Sequence, residues 1–252
     1  MESALAAAFL GWVPEFGVLL TEHRKASIQV DVNAEARSAS DWGALGYFAG
    51  EVAGAEIPVF TGVDRIGPEA AKQLSATLPY AGQGATMFHI AGVTPEAPSL
   101  DRVLEPGRAI RRISFGERER REAYGKMTTL GRGEAVDTVI LGCPFSSLEE
   151  IREIARRLQR ERIASGVKLI ICTSHNVLDL ASTEGYVDVI HRAGGTLMVD
   201  SCPGAMGRMR PRNVVSNSFK QAFYGRSALE AETGVADLEG CLRAAINGTW
   251  TW

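Results

Sequence analysis

The 252-residue sequence predicts an α/β fold in which parallel sheets are covered by helices on both faces. Three observations carry this. Short Val-, Ile- and Leu-rich runs at residues 138–141, 167–171 and 196–199 are apolar without alternation, as strands buried on both sides are. Amphipathic helical stretches separate them, and a helical crossover between neighbouring strands makes those strands parallel. The composition, 45% hydrophobic and 23% charged, is that of a globular chain long enough to bury its own core.

An Ala-rich helix runs from Ser3 to near Gly11, and residues 26–32 alternate apolar and polar as a strand does. Leu45, Phe48, Ala49 and Val52 repeat at helical spacing behind a cap at Ser40 or Asp41. A strand at 57–60, a helix at 68–78 with Pro68 in its first turn and a strand at 86–90 complete a βαβ unit. Pro95, Pro98, Pro106 and Gly107 mark residues 93–107 as a functional loop or hinge. A strand at 111–115, a helix at 117–130 and a linker at 131–134 follow, so residues 1–133 make a first α/β domain and 134–252 a second. In the second, strands at 138–141, 167–171 and 196–199 alternate with helices at 147–160 and 177–192, the former opened by a Ser147–Glu150 capping box. A strand at 214–215, a short helix holding Lys220 and a last helix at 236–245 close the chain.

A formal net charge of −3 gives no drive toward phosphate backbones or anionic lipid, which argues against nucleic acid and membrane partners. The arginine-dense stretches at 108–121 and 152–162 are interleaved with glutamates and read as solvated helix faces, Glu153 supporting Arg157 at i,i+4. The apolar run at 4–10 is too short for a membrane span and lacks the flanks of a signal peptide, so a cytoplasmic address is expected.

The four cysteines form no CxxC pair. Cys143 follows the 138–141 strand, Cys172 ends the 167–171 strand and Cys202 follows the 196–199 strand, each one βα repeat apart. Carboxyl ends of parallel strands share one edge, where ligands bind, so three distant sulfurs are placed to converge. Soft thiolates suit iron–sulfur clusters, and free cysteines are also commonly buried, so spacing alone leaves ligation and core packing both open. Cys172, against Ile170 and Ile171, reads as core or lining, and Cys241, at helical spacing with Leu238, Leu242 and Ala245, as core. His175, after a strand end, is the one histidine placed to meet a ligand. No glycine fingerprint for a nucleotide occurs.

Several ordered segments resemble the aconitase X family. Ser3-Ala-Leu-Ala-Ala-Ala and Pro14-Glu-Phe-Gly17 are similar to its SALAxA and PEYG segments, Asp41–Gly46 to its DWGALG, and His89–Ala97 to its FHxxGVTPEA loop. Leu141-Gly-Cys-Pro144 with Ser147–Glu150, Thr173-Ser174, Asp200-Ser-Cys202 and Ser216-Asn-Ser-Phe-Lys220 with Tyr224 resemble its LGCPH-x-SLEE, TSR, DTC and TNSxKxxxY segments. The resemblance implies an aconitase-like fold and a hydro-lyase. An iron–sulfur cluster or mononuclear iron would polarise the leaving hydroxyl of a small hydroxy acid such as cis-3-hydroxy-L-proline, with a mevalonate 5-phosphate dehydratase large subunit as the alternative. It implies Cys143 and Cys202 as metal ligands, and Ser218, Lys220 and His175 as catalytic-site residues, Ser218 and Lys220 holding the substrate's anionic group at a helix N-terminus. Thr94, Glu96, Ser174 and Asn217 become substrate-binding residues.

Two departures stand out: Phe145 replaces the family's histidine, and His175 its arginine, whose bidentate fork histidine cannot reproduce. The family's N-terminal region, with a third cysteine and a GARTNREGG stretch, has no counterpart in these residues, nor does its small swivelling module. The resemblance therefore implies a partner, a longer parent chain or a split enzyme. The rival expectation is a non-catalytic remnant or regulatory binding subunit of the same fold.

Overall fold

The computed structural model describes residues 2–82, 84–107, 109–202 and 209–252. Two all-parallel sheets organise them. The first contains β1 (Ile28–Val32), β2 (Pro58–Thr61), β3 (His89–Ile90) and β4 (Arg111–Phe115) in the order β3-β2-β1-β4. The second contains β5 (Thr138–Leu141), β6 (Lys168–Thr173), β7 (Gly195–Val199), β8 (Asn213–Ser216) and β9 (Glu232–Val235) in the order β7-β6-β5-β8-β9. The helices around the first sheet are α1 (Glu2–Leu10), α2 (Ala39–Ala53), α3 (Pro68–Ala81), α4 (Leu100–Val103) and α5 (Glu117–Met127). Around the second lie α6 (Leu148–Leu158), α7 (His175–Thr183), α8 (Tyr186–Ala193), α9 (Phe219–Ser227) and α10 (Leu238–Asn247).

The non-alternating strands bury both faces. In the second sheet Val139, Leu141, Ile171 and Val215 pack on residues of α6, α8 and α10 such as Ile151, Ile190 and Cys241. Ile140, Ile170, Cys172 and Val214 face the other way, against Leu229 and Ala231 just beyond α9. In the first sheet Val30, Phe60 and Ile90 meet α2, α3 and α5, while Val59 packs with Val103 of α4 on the opposite side. Among the described residues no helix is long and apolar enough to cross a membrane.

The two sheets are not independent. Phe219, Ala222 and Val235 of the second unit are buried in the core of the first, and Thr233 Oγ1 donates to the Met127 carbonyl at 2.8 Å. Within the first unit α2 and α3 touch backbone to backbone: a Cβ on Gly50 would stand 2.5 Å from the Leu78 carbonyl, so only glycine permits the contact.

Several boundaries differ from expectation for local reasons. The cap of α2 is Ser38, not Ser40 or Asp41: Ser38 Oγ accepts from the Asp41 N–H, and the Asp41 carboxylate accepts back from the Ser38 N–H. Ser40 instead is buried between the units and donates to the Asn217 and Ala236 carbonyls. The helix expected at 177–192 is two helices, parted at Gly185, whose φ of +77° breaks the helical path. The 86–90 strand shrinks to His89–Ile90, the 93–107 loop contains α4, and β9 is an additional strand. α3 runs on to Ala81 with Pro79 in its last turn, and α5 stops at Met127. The expected glutamate–arginine ladder is present, with Arg157 Nε donating to Glu153 at 2.6 Å; Arg108 lies outside the described residues.

Asp41 is a hub. One of its oxygens accepts from the Arg37 and Ser38 N–H groups, the other from Arg120 Nη1 at 3.1 Å and the Tyr124 hydroxyl at 3.0 Å, with only 6% of the side chain exposed. By contrast α1 and the segment after it are largely exposed, Phe9, Trp12 and Phe16 among them.

Candidate active site

At the carboxyl end of β5 the chain turns through Gly142, whose φ is +85°. A Cβ there would lie 2.1 Å from the Cys172 carbonyl, so glycine is what lets this loop cross the end of β6. The loop is stitched down: Ser146 N–H donates to the Cys172 carbonyl at 2.8 Å, and Thr173 Oγ1 to the Ser146 carbonyl at 2.8 Å. This fixes Cys143, which follows the turn through a cis bond to Pro144. Cys202 follows β7, and Lys220 sits in the first turn of α9, which Ser218 caps after β8.

These three side chains share one cleft of about 690 Å³, with Tyr80, Phe145 and Tyr224 forming an aromatic wall. Burial pushes the Cys143 thiol up to about 11, the Cys202 thiol pushes the same way, and the Lys220 ammonium and Ser218 hydroxyl pull it back. Burial, then Cys202 and Cys143, push Cys172 up to about 12. The three sulfurs are thus near enough to feel one another, as their strand-end positions predict, and Cys172 and Cys241 are the buried thiols expected.

The first unit supplies much of the support. Lys72 of α3 donates to the Phe145 carbonyl at 2.9 Å and pairs with Glu150, and Glu69 accepts from Ser147 Oγ. The Lys220 Nζ stands 4.9 Å from the centre of the Tyr80 ring. Tyr80 meets Tyr224 edge-on at 5.1 Å, and burial together with the hydrogen bond to Tyr80 pushes the Tyr224 hydroxyl up to about 12.

The remaining expected site residues fall elsewhere. Ser218 does not face the cleft: its side chain is fully buried, and Oγ accepts from the Gln221 N–H, placing it behind Cys143. Ser174 caps α7, and His175, the first residue of that helix, is exposed beside Asp179 at 3.7 Å. Neither lines the cleft: the Ser174 hydroxyl is taken up by the cap, and the His175 side chain is turned to solvent. Thr94 and Glu96 lie beyond β3 in the first unit, where Thr94 Oγ1 folds back onto the Ile90 carbonyl and Glu96 pairs with Arg24. Asn217 lines a different cavity between the units, its Oδ1 buried without a partner among the described residues. His89 is structural, donating to the Arg24 carbonyl at 2.7 Å.

Sequence reasoning missed Glu69, Lys72 and Tyr80, which lie at i, i+3 and i+11 along α3 and match no motif. Among the described residues no three His, Cys, Asp or Glu side chains are gathered as a metal site. Cys143 and Cys202 are soft donors on one cleft, so the donor set fits two positions of a thiolate-held iron centre and leaves the others to groups outside it.

Fold and site together define a protein of two parallel α/β units meeting at a cleft lined by thiols and a lysine. The model of the aconitase X second domain matches residues 26–125 and that of the third domain residues 136–247. The chain belongs to the aconitase X family. It is 39% identical to the phosphomevalonate dehydratase large subunit of Methanothermobacter thermautotrophicus over 79% of this chain and 47% of that one. It is 31% identical to the cis-3-hydroxy-L-proline dehydratase of Pseudomonas aeruginosa over 97% of this chain and 43% of that one. The crystal structure of holo-form aconitase X from Thermococcus kodakaraensis superposes with a TM-score of 0.83 at 30% identity, covering 96% of this chain and 61% of that one. The chain spans about half the length of the curated relatives it matches.

Proposed function

We propose that this chain is a component of a hydro-lyase that removes water from a small hydroxy acid. The observation that carries the reading is the meeting of Cys143, Cys202 and Lys220 in one cleft at the strand ends. Cys143 and Cys202 would hold two positions of an iron–sulfur cluster or a single iron, which when bound supplies Lewis-acid polarisation of the leaving hydroxyl. Lys220 holds the carboxylate or phosphate of the substrate. Tyr80, Phe145 and Tyr224 exclude water from the hydrocarbon part. Ser218 acts by capping α9, the helix that carries Lys220, rather than on substrate.

Relatives named as large subunits support a small partner subunit, and the partial coverage of their length supports completion of the site by further polypeptide. Cis-3-hydroxy-L-proline is one substrate the relatives suggest. Mevalonate 5-phosphate is the second, suggested by the phosphomevalonate dehydratase relatives, and the anionic group of either substrate would suit Lys220, which has no carboxylate partner among the described residues. A non-catalytic binding subunit is the rival reading, motivated by Phe145 and His175.

The deciding experiment is anaerobic co-purification with a small subunit from a relative, followed by iron and acid-labile sulfide analysis and turnover of both substrates. Metal in the complex, lost in C143S and C202S, and dehydration of either acid are expected. No iron above background would defeat the hydro-lyase reading and leave the binding subunit.

A further inference from the structure

The cleft holds two lysines anchored in opposite ways. Lys72 is spent: it pairs with Glu150 and donates to the Phe145 carbonyl, so it braces the cysteine loop and has little charge to offer a ligand. Lys220 has no carboxylate partner among the described residues, and its ammonium instead lies over the face of Tyr80. A carboxylate anchor would neutralise the ammonium and compete with an anionic ligand. An aromatic face attracts the ammonium through its quadrupole and leaves the full charge available.

We propose that Tyr80 is a positioning residue that aims Lys220 into the cleft, so that the anion-holding group of the second unit is set by α3 of the first. The inference rests on the reading of Lys220 as the anion-holding group. A free lysine stem has several rotatable bonds to immobilise when it binds, and a lysine already seated on a ring loses less freedom at that moment. The ring is itself held. Pro79 precedes it in the last turn of α3, Tyr224 meets it edge-on at 5.1 Å, and Phe223 lies 6.1 Å away. The ring face serves Lys220 and does not need the hydroxyl, so the two parts of the side chain are separable by mutation.

The test uses the full chain as wild type, Y80F, Y80L and K220M, with lysines dimethylated by ¹³C-formaldehyde and inorganic phosphate as the probe. The Lys220 methyl signal, assigned by its absence in K220M, is expected upfield of ordinary lysines because it sits over a ring. It should stay there in Y80F and return to the ordinary position in Y80L. Phosphate affinity should stay within about twofold in Y80F and fall about 3- to 10-fold in Y80L, the range of a partly desolvated cation–π contact. An unshifted Lys220 signal in the wild type overturns the proposal, and that measurement depends on neither Tyr80 variant. So does an unchanged phosphate affinity in Y80L, or a Y80F as weak as Y80L. If K220M binds phosphate as well as the wild type, or the wild type binds none, the reading of Lys220 as the anion holder fails, whatever the methyl signal shows about Tyr80.

Discussion

Asp41→Asn removes one charge and almost no volume from the hub that ties the start of α2 to α5. The aspartate serves four donors, and an amide of the same shape has one acceptor oxygen and one NH₂ group. Whichever way the amide turns, its NH₂ faces either the Arg37 and Ser38 N–H groups or Arg120 and Tyr124. Arg120 is 13% exposed and keeps Glu117, but loses its buried partner. Breaking a buried pair from one side costs about 3–5 kcal/mol. At about 2–4 °C per kcal/mol for a chain of this size, the melting temperature should fall by about 6–20 °C. Scanning calorimetry measures it. Ser38→Ala, which removes only the cap oxygen, should cost about 1 kcal/mol. In a double-mutant cycle D41N and R120L should be less than additive, with an interaction of about 1–3 kcal/mol. A fall under about 3 °C for D41N, or simple additivity, would refute the claim that Asp41 and Arg120 act as one buried unit.

Gly142→Ala should cost at least about 2 kcal/mol in denaturant unfolding, since the residue keeps a left-handed φ and its Cβ meets the Cys172 carbonyl; faster labelling of Cys143 by a thiol reagent should accompany it. Trp250, 1% exposed and packed on Gly234, should cost about 3–5 kcal/mol as alanine, read in the same assay. Alkali should destabilise the fold: Cys143 and Cys172 are held up to about 11 and 12 by burial, and Cys241 is raised too. The unfolded thiols, near a pKa of about 8.5, release protons first, so stability is full below that pH and declines as pH climbs toward 11–12. A melting temperature flat from pH 8 to about 10.5 would contradict this assignment.

The strands of the second sheet were legible because each is a short run buried on both faces, and their carboxyl ends then placed Cys143 and Cys202 on one edge. β9 was not: Glu-Thr-Gly-Val carries no apolar run, and it is a strand because Gly234 lets Trp250 lie flat on it and β8 offers a free edge. The Ser38 cap was hidden among three cap-competent residues, and only the reciprocal spacing to Asp41 singles it out. Ser218 and Asn217 look equally exposed in a motif, yet packing turns the first behind a thiol and the second toward the junction of the units. No spacing in the chain links residue 80 to residue 220; that neighbourhood is created by tertiary packing of α3 on α9.

Because α3 belongs to one unit by chain order and to the other's cleft by contact, occupancy and interdomain rigidity are thermodynamically coupled. On the proposed reading, an anion held by Lys220 would tighten Tyr80, and through it the helix that also carries Lys72 and Glu69. Ligand should therefore slow amide exchange along α3, which lines the cleft from the first unit through Lys72 and Tyr80. The cleft would then read the alignment of two domains, and a mutation that loosens their seam would weaken binding without altering a single atom that meets the ligand.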